Sequence, residues 1–527
     1  MKYFVVSRKY RFVSVPLPPY FSSAAVTHVC SHWRQVALRC ADLWCDIPIK
    51  RGIEWTNVAL QRSQGRPLLV NVSLEGVEGF SYYRKAAIAV IGEFSRIADL
   101  TIAEEGIENE WDEPDHPPPA EIMEFIDLLE QQRAPALKVL SLQTSSITLS
   151  EVFNPFAMTV TLGQLRSFHS NRCRIPPMSP LFGPLSLTHL SLEDGTTWDT
   201  VEQFFIMLSH LPSLESLALC YEFETSIDNL SAPSPEVMKS LRLPHLKKLI
   251  LEDRPVQATT ILQYLPILPS TIFEITLHCE DEPTDGVFLA SNLKRAILTL
   301  FAGAIANNLS FCSAVLSIQD IWFHVDCSST LVDQKILPLA TAVQTTLLPE
   351  KWKLDIIGAS RTPTVLLAML EMACSLPVLN GVRPLHVEGD GRQTGTLFPT
   401  EEDPPPFWMP SMSSVSKHFH SLRVRSTTVA RQIALAMNAD AEDYLPHLKE
   451  LTLASINLLD ASTDNMTLAL LLLMGLRHKK QAGHPLRQLS IAECAVTSDI
   501  VDILRDSAGV QEVVWDGKDV RHKTPQY

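Results

Sequence analysis

The hexapeptide LKKLIL, residues 246–251, holds the pattern from which the fold is read: leucines at its first, fourth and sixth positions. Strand side chains alternate between two faces, so Leu249 and Leu251 share one face and Ile250 takes the other. The same Leu-x-x-Leu-x-Leu unit recurs at Ile97-x-x-Leu100-x-Ile102, Leu137-x-x-Leu140-x-Leu142, Leu187-x-x-Leu190-x-Leu192, Leu214-x-x-Leu217-x-Leu219, Leu448-x-x-Leu451-x-Leu453 and Leu486-x-x-Leu489-x-Ile491. Weaker copies are Leu165-x-x-Phe168, Ile272-x-x-Ile275-x-Leu277, Val382-x-x-Leu385-x-Val387, Phe419-x-x-Leu422-x-Val424 and Val510-x-x-Val513-x-Trp515. First positions lie 40 residues apart at 97 and 137, 27 at 187 and 214, and 32 at 214 and 246. Repetition at such periods, with this much spread, is the mark of a divergent leucine-rich array.

Between copies the apolar spacing turns helical. Ile122, Phe125, Ile126 and Leu129 mark a helix over Glu121–Gln132, Val201, Phe204, Phe205 and Leu208 one over Thr200–Leu211, and Ile500, Val501, Ile503 and Leu504 one over Ser498–Ser507. Thr362-Pro363 opens another over Val365–Cys374. Leu-Pro precedes many copies and would end each helix before its strand. Alternating strand and helix predicts an α/β solenoid, irregular in period, with parallel strands on a concave face and helices on the convex one. The pattern breaks between Cys279 and Ser360, where Ser313-x-x-Leu316-x-Ile318 and Lys351-x-x-Leu354-x-Ile356 lack their first leucine. Two acidic, proline-bearing segments, 104–119 and 400–408, read as solvated loops.

Upstream, Ile53, Trp55, Val58, Ala59 and Leu60 give a short helix, which Gly65-Arg66-Pro67 stops before the strand-like run Leu68–Leu74. Before that comes VTHVCSHWRQVALRCADLWCDIPI, residues 26–49. Val26, Val29, Cys30, Trp33 and Ala37 fall on one face of a helix, and Asp42 is a candidate N-cap for a turn carrying Leu43 and Trp44. The string Val29-Cys30-x-x-Trp33-Arg34-x-Val36-Ala37, followed by Leu43-Trp44, resembles the second half of the F-box of many fungal F-box proteins. That family places a Leu-Pro opening and a full helix ahead of the VCxxWR segment. Here Leu17-Pro18-Pro19 lies twelve residues before Val29, so the first half is shortened.

The expected layout is a partial F-box-like helical unit over 1–50, a joining helix and strand over 51–96, and the divergent array over 97–527. The resemblance implies a substrate-receptor subunit of a cullin-RING ubiquitin ligase. In that role Val26, Val29, Cys30, Trp33, Val36, Ala37, Leu43 and Trp44 would bind the SKP-type adaptor, and the array would hold a target protein. The alternative is a leucine-rich protein-interaction scaffold that has lost adaptor binding.

A net charge of −15, from 44 basic against 59 acidic residues, argues against nucleic acid or an anionic membrane as partner. The ten cysteines are scattered without a CxxC pair, the usage of a reducing compartment. The first apolar run ends at Arg8, far short of a signal peptide, and Ile297–Ala306 and Leu468–Met474 are too short to span a bilayer. An intracellular protein, cytoplasmic or nuclear and not secreted, is expected.

His28 and His32 flank Cys30, but no second ligand pair follows to complete a zinc site, so they read as packing or solvent-facing residues. The segment Gly389–Gly395 matches neither a dinucleotide nor a Walker loop, and no GxSxG or HExxH motif occurs. Cys220, Cys279 and Cys494 read as buried thiols in or after repeat strands. Neither an enzyme nor a cofactor is expected. The face presented by the x positions, among them His189, Glu215, Lys247, Lys248, Lys449, Glu450, Arg487 and Gln488, is mixed in sign and names no ligand class.

Overall fold

The computed structural model describes residues 30–73, 76–103, 134–143, 163–171, 180–183, 186–193, 200–220, 232–266, 271–278, 286–307, 313–319, 322–328, 351–357, 385–389, 421–424, 427–439, 445–460 and 466–518, with a few single residues between. The chain divides into two compact units, Met1–Trp198 with Ile206–Ser213, and Asp199–Phe205 with Leu214–Tyr527.

Unit 1 holds helices α1 (Ser31–Arg39), α2 (Ile53–Arg62) and α3 (Gly76–Ile91). Its strands are β1 (Asp46–Ile47), β2 (Leu68–Ser73), β3 (Ile97–Ala103), β4 (Val139–Gln143), β5 (Ser167–Asn171) and β6 (His189–Glu193). Each strand pairs in parallel with the next. The register sets Ile47, Val70, Leu100, Leu140, Phe168 and Leu190 in one row across the sheet. Val72, Ile102, Leu142, Ser170 and Leu192 form a second row. Every residue of both rows is buried. The ladder therefore starts upstream of Ile97: Val70 and Val72 are repeat positions, with Pro67 where the first leucine would stand. Phe182 meets Phe168 edge-on at 6.4 Å behind the first row.

Unit 2 holds β7 (Ser216–Cys220), β8 (Lys248–Asp253), β9 (Ile272–His278), β10 (Ser313–Gln319), β11 (Trp322–Ser328), β12 (Lys351–Ile357), β13 (Leu385–Gly389), β14 (Ser421–Val424), β15 (Glu450–Ala454), β16 (Gln488–Ala492) and β17 (Glu512–Trp515). From β7 to β9 and from β13 to β17 the strands run parallel in chain order. Leu422, Leu451, Leu489 and Val513 form the first row at the far end, and Val424, Leu453, Ile491 and Trp515 the second.

The expectation of parallel strands throughout fails in the middle. There β12 lies beside β9 in parallel, β11 runs antiparallel to both β12 and β10, and β10 joins β13 in parallel. The two degraded copies do form strands, β10 and β12, but a reversed strand separates them. Three copies also sit two residues out of the expected register. Phe273, not Ile275, aligns with Leu249, and Ile275 aligns with Leu251. Leu354 follows Ile275 in the second row, and Leu316 follows Val387 there. A strand with apolar residues at 273, 275 and 277 meets the period-two rule in either register, so only the neighbouring strand decides.

The expected helix over Thr200–Leu211 is Val201–Ser209, and that over Ser498–Ser507 has those same bounds. Those over 121–132 and 365–374 lie outside the described residues save single positions. Thr467 caps the helix Leu468–Gln481 by accepting from the Leu470 backbone N–H at 3.3 Å. Gly475 of that helix lies so close to the helix Thr427–Ala439 that an added Cβ would stand 3.0 Å from the Ala434 carbonyl oxygen. Among the described residues no helix is long and apolar enough to cross a membrane.

Lys479, on the same helix as Gly475, is wholly buried and its ammonium donates to the Leu445 carbonyl. Burial, with Lys449 nearby, lowers its pKa to about 8. Unfolded, the same group keeps its proton to about pH 10.4. Between these values the unfolded chain binds more protons, so this group makes stability rise as pH rises from about 8 to about 10. Urea midpoints at the two pH values should differ in the wild type by clearly more than in Lys479→Met. Equal differences in the two proteins would contradict the assignment. In the same assay Leu249→Ala, at a fully buried first-row position, should cost about 3 kcal/mol.

Candidate docking surfaces

The N-terminal unit is built around a buried tryptophan and leaves another one outside. Cys30 has extended backbone, φ −159° and ψ 171°, and its Sγ accepts from the Trp33 backbone N–H at 3.4 Å. It is therefore the N-cap of α1 and not a member of a helical face, as the sequence reading had it. Val26 and Val29 lie outside the described residues. After α1 the chain makes a single 3₁₀ turn, Ala41–Trp44, whose N-cap is Cys40; Asp42 sits in its first turn and pairs with Arg66 at 3.4 Å instead of capping.

That turn drives Trp44 inward. Its indole N–H donates to the Ala37 carbonyl at 2.8 Å, which satisfies its polar end as burial of a tryptophan requires. The Arg62 guanidinium of α2 lies 4.4 Å from the ring centroid, within cation–π range. Ala37 and Trp44 are buried, at 1% and 2% exposure, so neither is available to a partner. Trp33 is 52% exposed, Val36 47% and Leu43 39%. Of the eight residues expected to bind an adaptor, Trp33, Val36 and Leu43 thus face outward as apolar groups and Cys30 is exposed with a capping role. Helical spacing put Trp33 on one face with Ala37, but it carries no information on which side of α1 packs against the rest of the unit.

The second surface is the sheet face opposite the leucine rows. In unit 1 it carries Asp46, then Leu69, Asn71 and Ser73, then Asp99, Thr101 and Ala103, then Val139, Ser141 and Gln143, then Ser167, His169 and Asn171, and finally His189, Ser191 and Glu193. Burial pushes the carboxyls of Asp46 and Asp99 up and the His169 imidazole down from their ordinary values. Glu193 accepts from Asn171 Nδ2 at 3.2 Å and lies 3.8 Å from His169 Nδ1. In unit 2 two pairs form on this face, Lys248 with Glu274 at 3.4 Å and His278 with Glu252 at 3.0 Å.

Of the residues expected on this face, His189, Lys248, Glu450 and Gln488 lie within strands. Glu215, Lys247, Lys449 and Arg487 stand just before them. Their backbone, not only their charge, is used: the Glu215 carbonyl accepts from the N–H groups of Lys247 and Lys248, and the Lys449 carbonyl from those of Arg487 and Gln488. The residues that sequence reading missed are Asp46 and Leu69, which the register sets beside Asp99, an x position of the copy at Ile97. Strands β1 and β2 carry no leucine at the first repeat position, which hid their alignment with β3.

His28 and Cys279 lie outside the described residues, as does Gly389–Gly395 beyond its first residue. Among the described residues no three His, Cys, Asp or Glu side chains converge as for a metal ion. Cys494 is buried, with its Sγ 3.4 Å from the Leu453 carbonyl oxygen and 3.3 Å from that of Ala492, and burial raises its pKa. It stands at the ninth position of its repeat, where leucine-rich repeats place Asn or Cys.

No family model matches the chain, and no curated protein matches it. Among solved structures, an internalin from Listeria monocytogenes is similar over 83% of this chain and 89% of that one, at 11% identity and a TM-score of 0.21. The class follows from the chain's own ladder: parallel strands with Leu-x-x-Leu-x-Leu in register and helices between them make this a leucine-rich-repeat array.

The two tryptophans should separate in a thermal unfolding experiment. Trp44→Ala should cost about 3 to 5 kcal/mol, whereas Trp33→Ala, at an exposed position, should change stability by about 0.5 kcal/mol or less. A large loss from Trp33→Ala would place that side chain in the core.

Proposed function

We propose that the chain is a substrate receptor that recruits a protein target to a ubiquitin ligase. The exposed apolar face of α1 and the turn after it would dock the SKP-type adaptor of a cullin assembly, and the sheet face of the array would hold the target. The observation that carries the docking half is the exposure of Trp33, with Val36 and Leu43 also outward, in a unit whose other tryptophan is enclosed. Aromatic anchors surrounded by near-neutral contacts are the usual centre of a protein interface. The ligase half rests on the F-box resemblance alone.

The mechanism is recruitment. Holding target and ubiquitin-loaded enzyme in one assembly raises their effective concentration, so transfer becomes intramolecular and no residue of this chain acts as catalyst. The chain works inside the cell under this reading, without a cofactor and without nucleic acid or membrane as partner.

A second reading has one observation behind it. Ala37 and Trp44 are buried and β1 is paired to β2, so the N-terminal unit also serves as the cap of the first repeat. Repeat arrays need such caps whether or not they bind an adaptor. A scaffold that has lost adaptor binding would keep this cap and nothing more.

Co-expression with a SKP-type adaptor separates the two readings. The intact chain should capture the adaptor, and Trp33→Ala with Val36→Ala should weaken capture by about 30-fold or more, the effect of losing an anchor of about 2 kcal/mol. Absence of the adaptor from the intact chain, or equal recovery with the double variant, leaves the scaffold reading.

A further inference from the structure

We propose that the open face of β1, β2 and β3 takes a basic segment of a partner protein, its Lys or Arg side chains meeting Asp46 and Asp99 across the exposed side chain of Leu69. This rests on the reading of the sheet face as the target-binding surface and names the chemistry of that target.

The pairing register sets Asp46, Leu69 and Asp99 side by side in one row on three neighbouring strands. Two strand spacings put the carboxylates about 10 Å apart. Leu69 between them is 47% exposed. No described cation pairs with either carboxylate, and burial is the one influence that shifts each of them.

The whole face points the same way. Across β1–β6 it bears Asp46, Asp99 and Glu193, and those six strands contain no Lys or Arg; Arg66, Arg96, Lys138 and Arg166 stand just before β2, β3, β4 and β5, and the Arg96 guanidinium is held by Glu93 and the Arg66 carbonyl. In unit 2 a lysine does stand on this face, Lys248, and it pairs with Glu274 at 3.4 Å. A lysine or arginine brings both missing elements, an aliphatic stem to lie over Leu69 and a charged head for the carboxylates. Nucleic acid and anionic lipid would be repelled.

The test uses the full-length chain and a labelled peptide of alternating lysine and threonine, followed by fluorescence anisotropy at low salt. The peptide should bind, and its glutamate counterpart should not. Asp46→Asn with Asp99→Asn should weaken binding about tenfold or more. Asp502→Asn with Asp506→Asn, which removes the same charge from the exposed side of the helix Ser498–Ser507, should leave binding unchanged. Leu69→Lys, at an exposed position, should block the peptide even if the Asn pair proves unstable. Binding of both peptides alike, equal loss in the two Asn pairs, or no loss in either overturns the proposal. Adaptor capture is read separately: the Asp46 and Asp99 changes should not alter it, and Trp33→Ala with Val36→Ala should not alter peptide binding.

Discussion

Everything described depends on one constraint, the register between neighbouring strands. Side chains alternate with period two, so a slip of one residue would turn the rows of Leu140, Phe168 and Leu190 from core to solvent. Burial of the two rows fixes this register, and the register in turn decides what the opposite face presents. Asp46, Leu69 and Asp99 are neighbours because Ile47, Val70 and Leu100 are. Core and binding surface are thus two readings of one alignment. The same constraint bears on the chain's middle, where β11 runs against its neighbours and interrupts the order of repeats.

The N-terminal unit obeys a second constraint, that a buried tryptophan needs an acceptor for its N–H. The Ala37 carbonyl supplies it, and the Arg62 guanidinium covers the ring. Satisfying Trp44 fixes how α1, the 3₁₀ turn and α2 lie together, and leaves Trp33, Val36 and Leu43 on the outside. Ala37 and Trp44 therefore build the cap, while Trp33, Val36 and Leu43 stay exposed. A single helical unit can end the array and carry an interface without conflict between the two tasks.

The leucine-rich character was legible in the sequence wherever a leucine opens the copy. The copies at Leu137, Leu187, Leu214, Leu246, Leu448 and Leu486 all fall in the expected register, and so do the weaker ones ending in Phe168 and Trp515. Where the first leucine is missing, the copies opening at Ile97, Val382, Phe419 and Val510 still fall in register, but the reading failed elsewhere in two ways. Pro67 concealed the copy holding Val70 and Val72, and the triplet Phe273, Ile275 and Leu277 offered two equivalent registers. The reversal of β11 could not be read because it depends on pairing between segments far apart in the chain. Of the docking residues, helical spacing found Trp33 but could not say that it lies outside while Trp44, on the turn that follows, lies inside.

Hydroxyl-radical footprinting of the full-length chain, alone and with a SKP-type adaptor, addresses the division between cap and interface in one measurement. Trp33 should be oxidised readily in the free chain and protected in the complex, while Trp44 stays protected in both. Equal oxidation of the two tryptophans in the free chain, or a Trp33 signal that the adaptor leaves unchanged, would contradict it.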